Sequence, residues 1–316
     1  MRDLRTRCLL VAAASAALFA ASGERGARAE ADAEARERCA VRMSITLTGQ
    51  SPDAELLAAT DPKAQVSRLL ESQAFIDRFA SFVNAKMNDE PDPISSREPA
   101  YWLTREVLAK GRPWSDLFVG GYDVEIPAGG NSVADPAVTP NPDGLGYFRS
   151  APWLRRYAGN EVAGLKISTA YRIMNNVIGL ELNPVTTAEG ADISATGRAA
   201  AACRGCHFEG PFALDKVARV LTRRRLDKFG FLPSPDPPQT LLDGTTIAND
   251  KELVTALVAS ENFSFRACRL AFEFLYSRPE LTCEATLFDL CVDRFKSEKT
   301  MQSALRAVIG DASFCQ

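Results

Sequence analysis

The feature that most restricts this chain is the segment CRGCHFEG, which runs from Cys203 to Gly210. Two cysteines stand two residues apart, and the next residue, His207, is the only histidine among 316 residues. Covalent haem attachment uses this order of residues, because two thiols form thioethers with the porphyrin and the following imidazole binds the iron. The segment therefore predicts one covalent haem c on Cys203 and Cys206, with His207 as the proximal iron ligand.

Three other chemistries use two cysteines at this spacing, and each stays open beside the haem prediction. A redox CxxC normally opens a helix after a strand in a βαβ unit, a context that the sequence does not indicate. A zinc site would need more ligands, usually from a second cysteine pair or from paired histidines. A structural disulfide between Cys203 and Cys206 would have to close across only two residues.

The motif does not specify a sixth iron ligand. The methionines beyond the N-terminal segment are Met43, Met87, Met174 and Met301. Met174 is the first candidate because it lies on an amphipathic segment before the motif, and a thioether ligand raises the reduction potential. It also fits an apolar stripe with Val177 and Ile178, which predicts core packing instead. Lys216 and water are the other candidates, and an open position would favour small-ligand chemistry.

Apolar residues follow the histidine closely, at Phe208, Phe212 and Leu214. A haem needs an apolar wall, so these three side chains are candidate haem-lining residues. Ordinary packing in the protein core is the alternative for the same residues.

The first 29 residues form a separate segment. Three arginines within MRDLRTR precede the apolar run CLLVAAASAALFAAS, and the small-residue pattern ARA ends at Ala29. This order predicts a signal peptide cleaved near Ala29 and a periplasmic or secreted protein. A membrane anchor is the alternative, although the run is shorter than the roughly 20 apolar residues of a full span.

Charge argues against a nucleic-acid partner. The whole chain has 37 basic and 40 acidic residues, a formal net charge of −3. Removing residues 1–29 takes away five basic and two acidic residues, which leaves 32 against 38, or −6. Such a chain has no general basic field for nucleic acid. The sequence after residue 29 also contains no segment that predicts a membrane span, so the exported chain is expected to have none.

Apolar residues recur at helical spacing through most of the chain, which predicts a mainly α, multi-helix fold. One helix is predicted from Pro62, with Asp61 as its N-cap, as far as Met87. A second stops at Gly111, and a third ends near Asn183. The carboxy-terminal part is predicted to hold helices at about 249–260, 262–277 and 283–297, with a short last helix near 299–309.

Two segments rich in proline and glycine suggest where the chain divides. The predicted divisions are a signal peptide at 1–29, an N-terminal helical domain at 30–126, a linker loop at 127–146, a haem-binding segment at 147–232 and a C-terminal helical domain at 233–316.

Five cysteines remain outside the haem motif once the predicted signal peptide is removed. If 262–277 and 283–297 form an antiparallel hairpin, Cys268 and Cys291 are nearly level at 1.5 Å of rise per residue. Cys283 opens the second of these helices, and Cys315 follows a last helix that should return to the same end. We therefore predict a disulfide-linked carboxy-terminal bundle with the pairs Cys268–Cys291 and Cys283–Cys315, and with Cys39 free or paired between molecules. Buried, reduced cysteines are the alternative.

Three segments taken together resemble planctomycete-type cytochrome c proteins. The amino-terminal helical region of that family is similar to AVRMSITLTGQSPDAELLAATDPKAQVSRLLESQAFIDRFASFVN. The residues that match its pattern are Met43, Ile45, Leu47, Thr48, Gly49 and Pro52, while Thr46 stands where the family has aspartate. The family's haem segment is similar to ACRGCHFEGPFALDKV, with Gly210, Pro211, Phe212, Leu214 and Asp215 in a shortened version of its pattern.

The carboxy-terminal helical domain of the family is similar to LLDGTTIANDKELVTALVASENFSFRACRLAFEFLYSR. Tyr276 and Arg278 match the end of that domain, whereas Ser277 and Pro279 depart from it. The resemblance implies a periplasmic haem protein and says little about its partners.

The motif and the export prediction together favour an exported mono-haem c-type cytochrome that exchanges electrons with a redox partner protein of the cell envelope. One alternative is a haem-containing redox enzyme, or a subunit of an envelope degradative complex, with an open sixth iron position. Against it, the chain has no distal histidine for acid–base chemistry. Another alternative is a non-haem interaction scaffold with a redox or structural CxxC. A Ser-His-Asp triad is excluded if the single histidine binds iron.

Overall fold

The computed structural model describes residues 32–88, 99–125, 137–150, 153, 157, 167–182, 190, 192–210, 213–224, 231–232, 234, 236–241 and 243–316. The predicted signal peptide at 1–29 lies outside the described residues, and so does Phe212. Within the described part the chain is mainly helical, as its apolar periodicity predicts.

The α-helices are α1 (32–48), α2 (Ala54–Ala58), α3 (Val66–Glu71), α4 (Gln73–Met87), α5 (Pro99–Ala109), α6 (Asp116–Val119), α7 (Ile167–Ile178), α8 (Ala195–Arg198), α9 (Ala201–Arg204), α10 (Leu214–Val220), α11 (Asp250–Ala259), α12 (Glu261–Tyr276), α13 (Ala285–Glu298) and α14 (Met301–Gly310). Short 3-10 turns cover Pro62–Gln65, Thr282–Glu284 and Ala312–Cys315, and a π turn covers Gly205–Glu209. The four carboxy-terminal helices α11 to α14 agree with their predicted bounds to within two residues.

Within the described residues three antiparallel hairpins accompany the helices, and the sequence did not predict them. They are β1 (Tyr122–Glu125) with β2 (Ala137–Pro140), β3 (Arg223–Arg224) with β4 (Phe231–Leu232), and β5 (Gln239–Thr240) with β6 (Thr246–Ile247). Strands of two to four residues are too short to show an alternating pattern, and isolated two-stranded hairpins depend on tertiary support. Strand β2 occupies part of the predicted 127–146 loop.

The predicted helix from Pro62 to Met87 is divided in the structure. Asp61 is the N-cap as predicted, since its side chain accepts a hydrogen bond from the backbone N–H of Lys63 at 3.0 Å. The break lies at Ser72, whose backbone is extended. Its hydroxyl donates to the Leu69 carbonyl at 2.7 Å and accepts from the Phe75 N–H at 3.2 Å. One serine therefore ends α3 and caps α4.

Helix α7 ends earlier than the sequence predicts, at Ile178 instead of near Asn183. The next residue, Gly179, has a left-handed backbone with φ +72°, a conformation that ends helices and favours glycine. The Asn175 side chain also donates to the Leu180 carbonyl at 2.7 Å, which stabilises this turn.

One continuous core of buried apolar residues joins the helices. Large side chains that are completely or almost completely buried include Phe75, Phe79, Trp114, Phe118 and Phe272. Helix α4 packs on α5, and α12 packs on both α13 and α14. Helix α7 packs against α10, α11 and α12, so it connects the region that follows the cysteine motif with the carboxy-terminal helices.

Two cysteine pairs lie at disulfide distance. Cys268 on α12 and Cys291 on α13 are joined, with their Cα atoms 5.9 Å apart, as the hairpin argument predicts. Cys39 on α1 is joined to Cys315, with Cα atoms 4.8 Å apart. The predicted Cys283–Cys315 pair is therefore wrong, and so is the prediction that Cys39 is free or intermolecular.

The last turn of the chain explains this difference. Residues Ala312–Cys315 form a turn that lies against α1, where Arg42 donates to the carbonyl of Gln316 at 2.7 Å. The guanidinium of Arg42 also lies over the Phe314 ring, 5.0 Å from its centroid. Cys315 is thus held beside α1. Cys283 is free and exposed in the 3-10 turn that precedes α13. Among the described residues, no helix is both long enough and apolar enough to cross a membrane.

Candidate functional site

The cysteine motif lies on a continuous helical segment of mixed type. Cys203 is on α9, and Cys206 and His207 are in the π turn that follows it. Both thiols are free and exposed, so they are not joined to each other. The segment ends in a tight bend at Gly210, where a Cβ atom would lie only 2.0 Å from the carbonyl oxygen of Gly205. This arrangement leaves both sulfurs accessible from solvent.

The imidazole of His207 is held by a buried carboxylate. Its Nδ1 lies 2.7 Å from Oδ2 of Asp215, and its side chain is 20% exposed. Asp215 itself is only 2% exposed. A neutral imidazole that donates from Nδ1 to a carboxylate keeps the lone pair of Nε2, which is the form that can bind a metal.

Arg198 completes this group by binding the same carboxylate. Its Nε lies 3.2 Å from both oxygens of Asp215, and its Nη2 lies 3.1 Å from Oδ1. Arg198 precedes the motif in sequence, at the end of the short helix α8. Asp215 follows the motif, in the first turn of α10. The carboxylate is thereby fixed in position by a charge-assisted pair, and it fixes the imidazole in turn.

From the sequence, Asp215 is identified only as part of the family's haem-segment pattern, and Arg198 is not identified. The available indication was an acidic residue eight positions after the only histidine, at the start of a helix. A carboxylate behind a metal-binding imidazole is a common supporting interaction. The sequence does not indicate Arg198, because many arginines lie near the motif and only the fold shows which of them contacts Asp215.

The structure describes two of the three residues predicted to line a haem. Leu214 is buried and Phe208 is half-buried, while Phe212 lies outside the described residues. The candidate sixth ligand Met174 is 4% exposed and belongs to the core. Its helix α7 packs against α10, which carries Asp215. The ammonium of Lys216, another candidate, donates to the carbonyl of Thr240 at 3.3 Å.

The donor chemistry of this segment fits a covalently attached haem. Two accessible thiols and one imidazole with an available Nε2 are the groups that such a cofactor needs. Among the described residues, no group of three or more histidine, cysteine, aspartate and glutamate side chains is arranged to hold a bare metal ion.

Comparison with known proteins adds no assignment to this geometry. No family model matches the chain, and neither a curated protein nor a solved structure matches it. The resemblance to planctomycete-type cytochromes c therefore stays a prediction that rests on the three quoted segments.

Proposed function

We propose that this protein is an exported mono-haem c-type cytochrome that transfers electrons in the cell envelope. The observation that carries the proposal is the 2.7 Å contact between His207 Nδ1 and the buried Asp215 carboxylate, beside two free, exposed thiols. A carboxylate behind the imidazole is a common support of a metal-binding histidine. The predicted signal peptide supports export, which places the chain where such thiols meet haem-attachment systems.

Each residue of the segment has a defined task in this proposal. Cys203 and Cys206 would hold the haem through thioethers, and Nε2 of His207 would bind its iron. The haem, when bound, supplies one-electron chemistry. Phe208 and Leu214 would exclude water from one side of the site. Asp215 keeps the imidazole in one tautomer and orientation, since it accepts the Nδ1–H hydrogen bond.

The Asp215 carboxylate should also affect the reduction potential. A negative charge on the Nδ1–H hydrogen bond makes the imidazole a stronger donor, which favours the more positively charged state of the metal. The Arg198 guanidinium offsets part of that charge. The charge that remains on the Asp215–Arg198 pair therefore lowers the reduction potential of the haem iron, compared with a neutral hydrogen-bond acceptor at Nδ1.

We expect Asp215→Asn to retain covalent haem and to raise the reduction potential by tens of millivolts. Removing a supporting carboxylate weakens the imidazole as a donor, and a tenfold change in the relative stability of the oxidised and reduced states corresponds to about 59 mV for one electron. A spectroscopic redox titration measures the shift. Asp289→Asn, at an exposed position on α13, is the matched control and should leave the potential unchanged. Equal potentials for wild type and Asp215→Asn would contradict the role given to Asp215.

The basic test of the proposal is production of the chain in a host with a cytochrome c maturation system. A pyridine haemochrome spectrum and the intact mass should show one haem bound through two thioethers. A colourless, unmodified chain would end the haem proposal and would favour an interaction scaffold.

One observation favours the alternative of a redox enzyme or degradative-complex subunit with an open sixth position. The motif is at the surface, with both thiols exposed and His207 partly exposed, and Lys216 is already bonded to Thr240. A small ligand could therefore reach the site. Carbon monoxide binding to the reduced protein distinguishes the two functions: rapid, stoichiometric binding supports the enzyme, and a six-coordinate spectrum that carbon monoxide does not change supports the electron carrier.

A further inference from the structure

A second candidate site is a cleft of about 1100 Å³ whose lining does not include the cysteine motif. Its walls come from α4, from α12 and from the turn that follows α7. The lining carries five basic residues and three carboxylates, an excess of two positive charges. This excess contrasts with the net negative charge of the whole chain.

Arg266 on α12 is the most unusual residue of the cleft. It is only 7% exposed, and its Nε is buried without a hydrogen-bond partner among the described residues. Its nearest ion pair is a long one, with Nη1 3.6 Å from Oε1 of Glu273. A guanidinium offers five N–H donors in a plane, and the Nε donor of Arg266 is left for a ligand by the described residues. Burial lowers the pKa of Arg266 from its ordinary value, chiefly because the charged form is desolvated.

Glu273, the carboxylate paired with Arg266, is shared with a second cation. Lys86 on α4 lies 2.7 Å from Oε2 of the same Glu273, so two cations share one anion. Arg78, on the same face of α4, donates its Nε to the backbone carbonyl of Thr46 at 3.1 Å. Exposed Glu181 compensates part of this charge from the rim of the cleft.

Two other basic residues of the cleft are neutralised by partners outside it. Arg269 lies 2.9 Å from Glu280, and Arg278 forms two 2.7 Å hydrogen bonds with Glu284. These pairs are located toward the surface, where they stabilise little and are screened by salt. Asp77, a third carboxylate of the lining, pairs with Arg105 outside it at 2.7 Å. Arg266, Lys86 and Arg78 therefore face Glu273 and Glu181 within the lining, an excess of one positive charge.

An aromatic wall stands beside this charge. Phe82 and Phe274 are half-buried, both line the cleft, and their ring centroids are 5.3 Å apart in an edge-to-face arrangement. Gly179 makes room for the stem of Arg266, because a Cβ atom there would lie 2.9 Å from the Arg266 Cδ. The glycine that ends α7 therefore also leaves space for the Arg266 side chain.

We infer that this cleft binds an organic carboxylate with an apolar body. The planar carboxylate would accept hydrogen bonds from the guanidinium of Arg266, a match of geometry and charge that a lysine ammonium does not provide. The apolar body would pack on Phe82 and Phe274, since binding sites commonly combine an apolar wall with a few orienting polar groups. This inference does not depend on haem, so it stands or falls separately from the electron-transfer proposal.

The test uses calorimetric titration of the purified exported chain with three probes: benzoate, its uncharged analogue benzamide, and inorganic phosphate. We expect saturable binding of one benzoate per chain and at least about tenfold weaker binding of benzamide, the effect of losing a charged hydrogen bond. Benzoate should also raise the thermal unfolding midpoint, because a ligand that binds only the folded state stabilises it.

Arg266→Met removes the charge while keeping an unbranched apolar stem, and we expect benzoate affinity to fall about tenfold or more. Arg294→Gln, at an exposed position of α13 outside the cleft lining, is the matched control and should bind normally. If Arg266→Met does not fold by circular dichroism, the exposed residues Lys86 and Arg78 carry the test as Lys86→Gln and Arg78→Gln. No benzoate binding, equal binding of benzamide, or binding of phosphate alone would overturn the inference.

Discussion

The double variant Cys203→Ser/Cys206→Ser is expected to carry no covalently bound haem when it is produced with a cytochrome c maturation system. A serine hydroxyl does not form the thioether, so both attachment points are lost together. The measurement is the intact mass of the acid-denatured protein, with the pyridine haemochrome spectrum as a second readout. Because the two thiols are exposed and unpaired, serine should not disturb the fold at either position.

Cys283→Ser is the matched control for this experiment, since Cys283 is also a free and exposed cysteine but lies far from the motif in sequence. It should load haem like the wild type. Each single variant, Cys203→Ser or Cys206→Ser, should retain one thioether and give a shifted haemochrome spectrum. Haem on the double variant that survives acid denaturation would contradict the assignment of these two cysteines.

Removal of the terminal disulfide is expected to have the largest effect on stability. Cys39 and Cys315 are separated by 276 positions in sequence, so their bond closes nearly the whole described chain. On the loop-entropy account, Cys39→Ala/Cys315→Ala should lower the free energy of unfolding by about 5 kcal/mol. Urea denaturation followed by circular dichroism measures this loss.

The second pair provides an internal comparison. Cys268 and Cys291 are separated by only 23 positions, so Cys268→Ala/Cys291→Ala should cost about 3 kcal/mol on the same account. Cys283→Ala should leave the stability unchanged within experimental error, because it breaks no bond. Non-reducing peptide mapping is the independent check, and a fragment that links Cys283 to Cys315 would refute the pairing in the structure.

Local sequence patterns predicted the helices well where short-range interactions decide the backbone. Asp61 caps the first turn after it, and the four carboxy-terminal helices follow their apolar periodicity. The same patterns missed the break at Ser72, because a serine inside an apolar helical pattern can either stay in the helix or cap the next one. The β hairpins were missed because strands of two to four residues are too short to show an alternating pattern.

The candidate site also has features that the local sequence shows and features that depend on the fold. The spacing of Cys203, Cys206 and His207 is a local property, and it is visible without a structure. The contact of His207 with Asp215 spans eight residues but needs the π turn and the bend at Gly210. Arg198 and the cleft at Arg266 depend on which helices meet, which no local pattern indicates.

By itself, the sequence determined the mainly helical class, the cysteine–histidine motif and the Cys268–Cys291 pair, because each depends on residues at helical spacing or in one helical hairpin. Only the tertiary structure decided that Cys315 meets Cys39, that Asp215, itself bound by Arg198, holds His207, and that Arg266 is buried with an Nε donor that has no partner among the described residues. The physical reason is that these contacts form when distant helices pack into one core, and packing is set by the whole set of buried side chains.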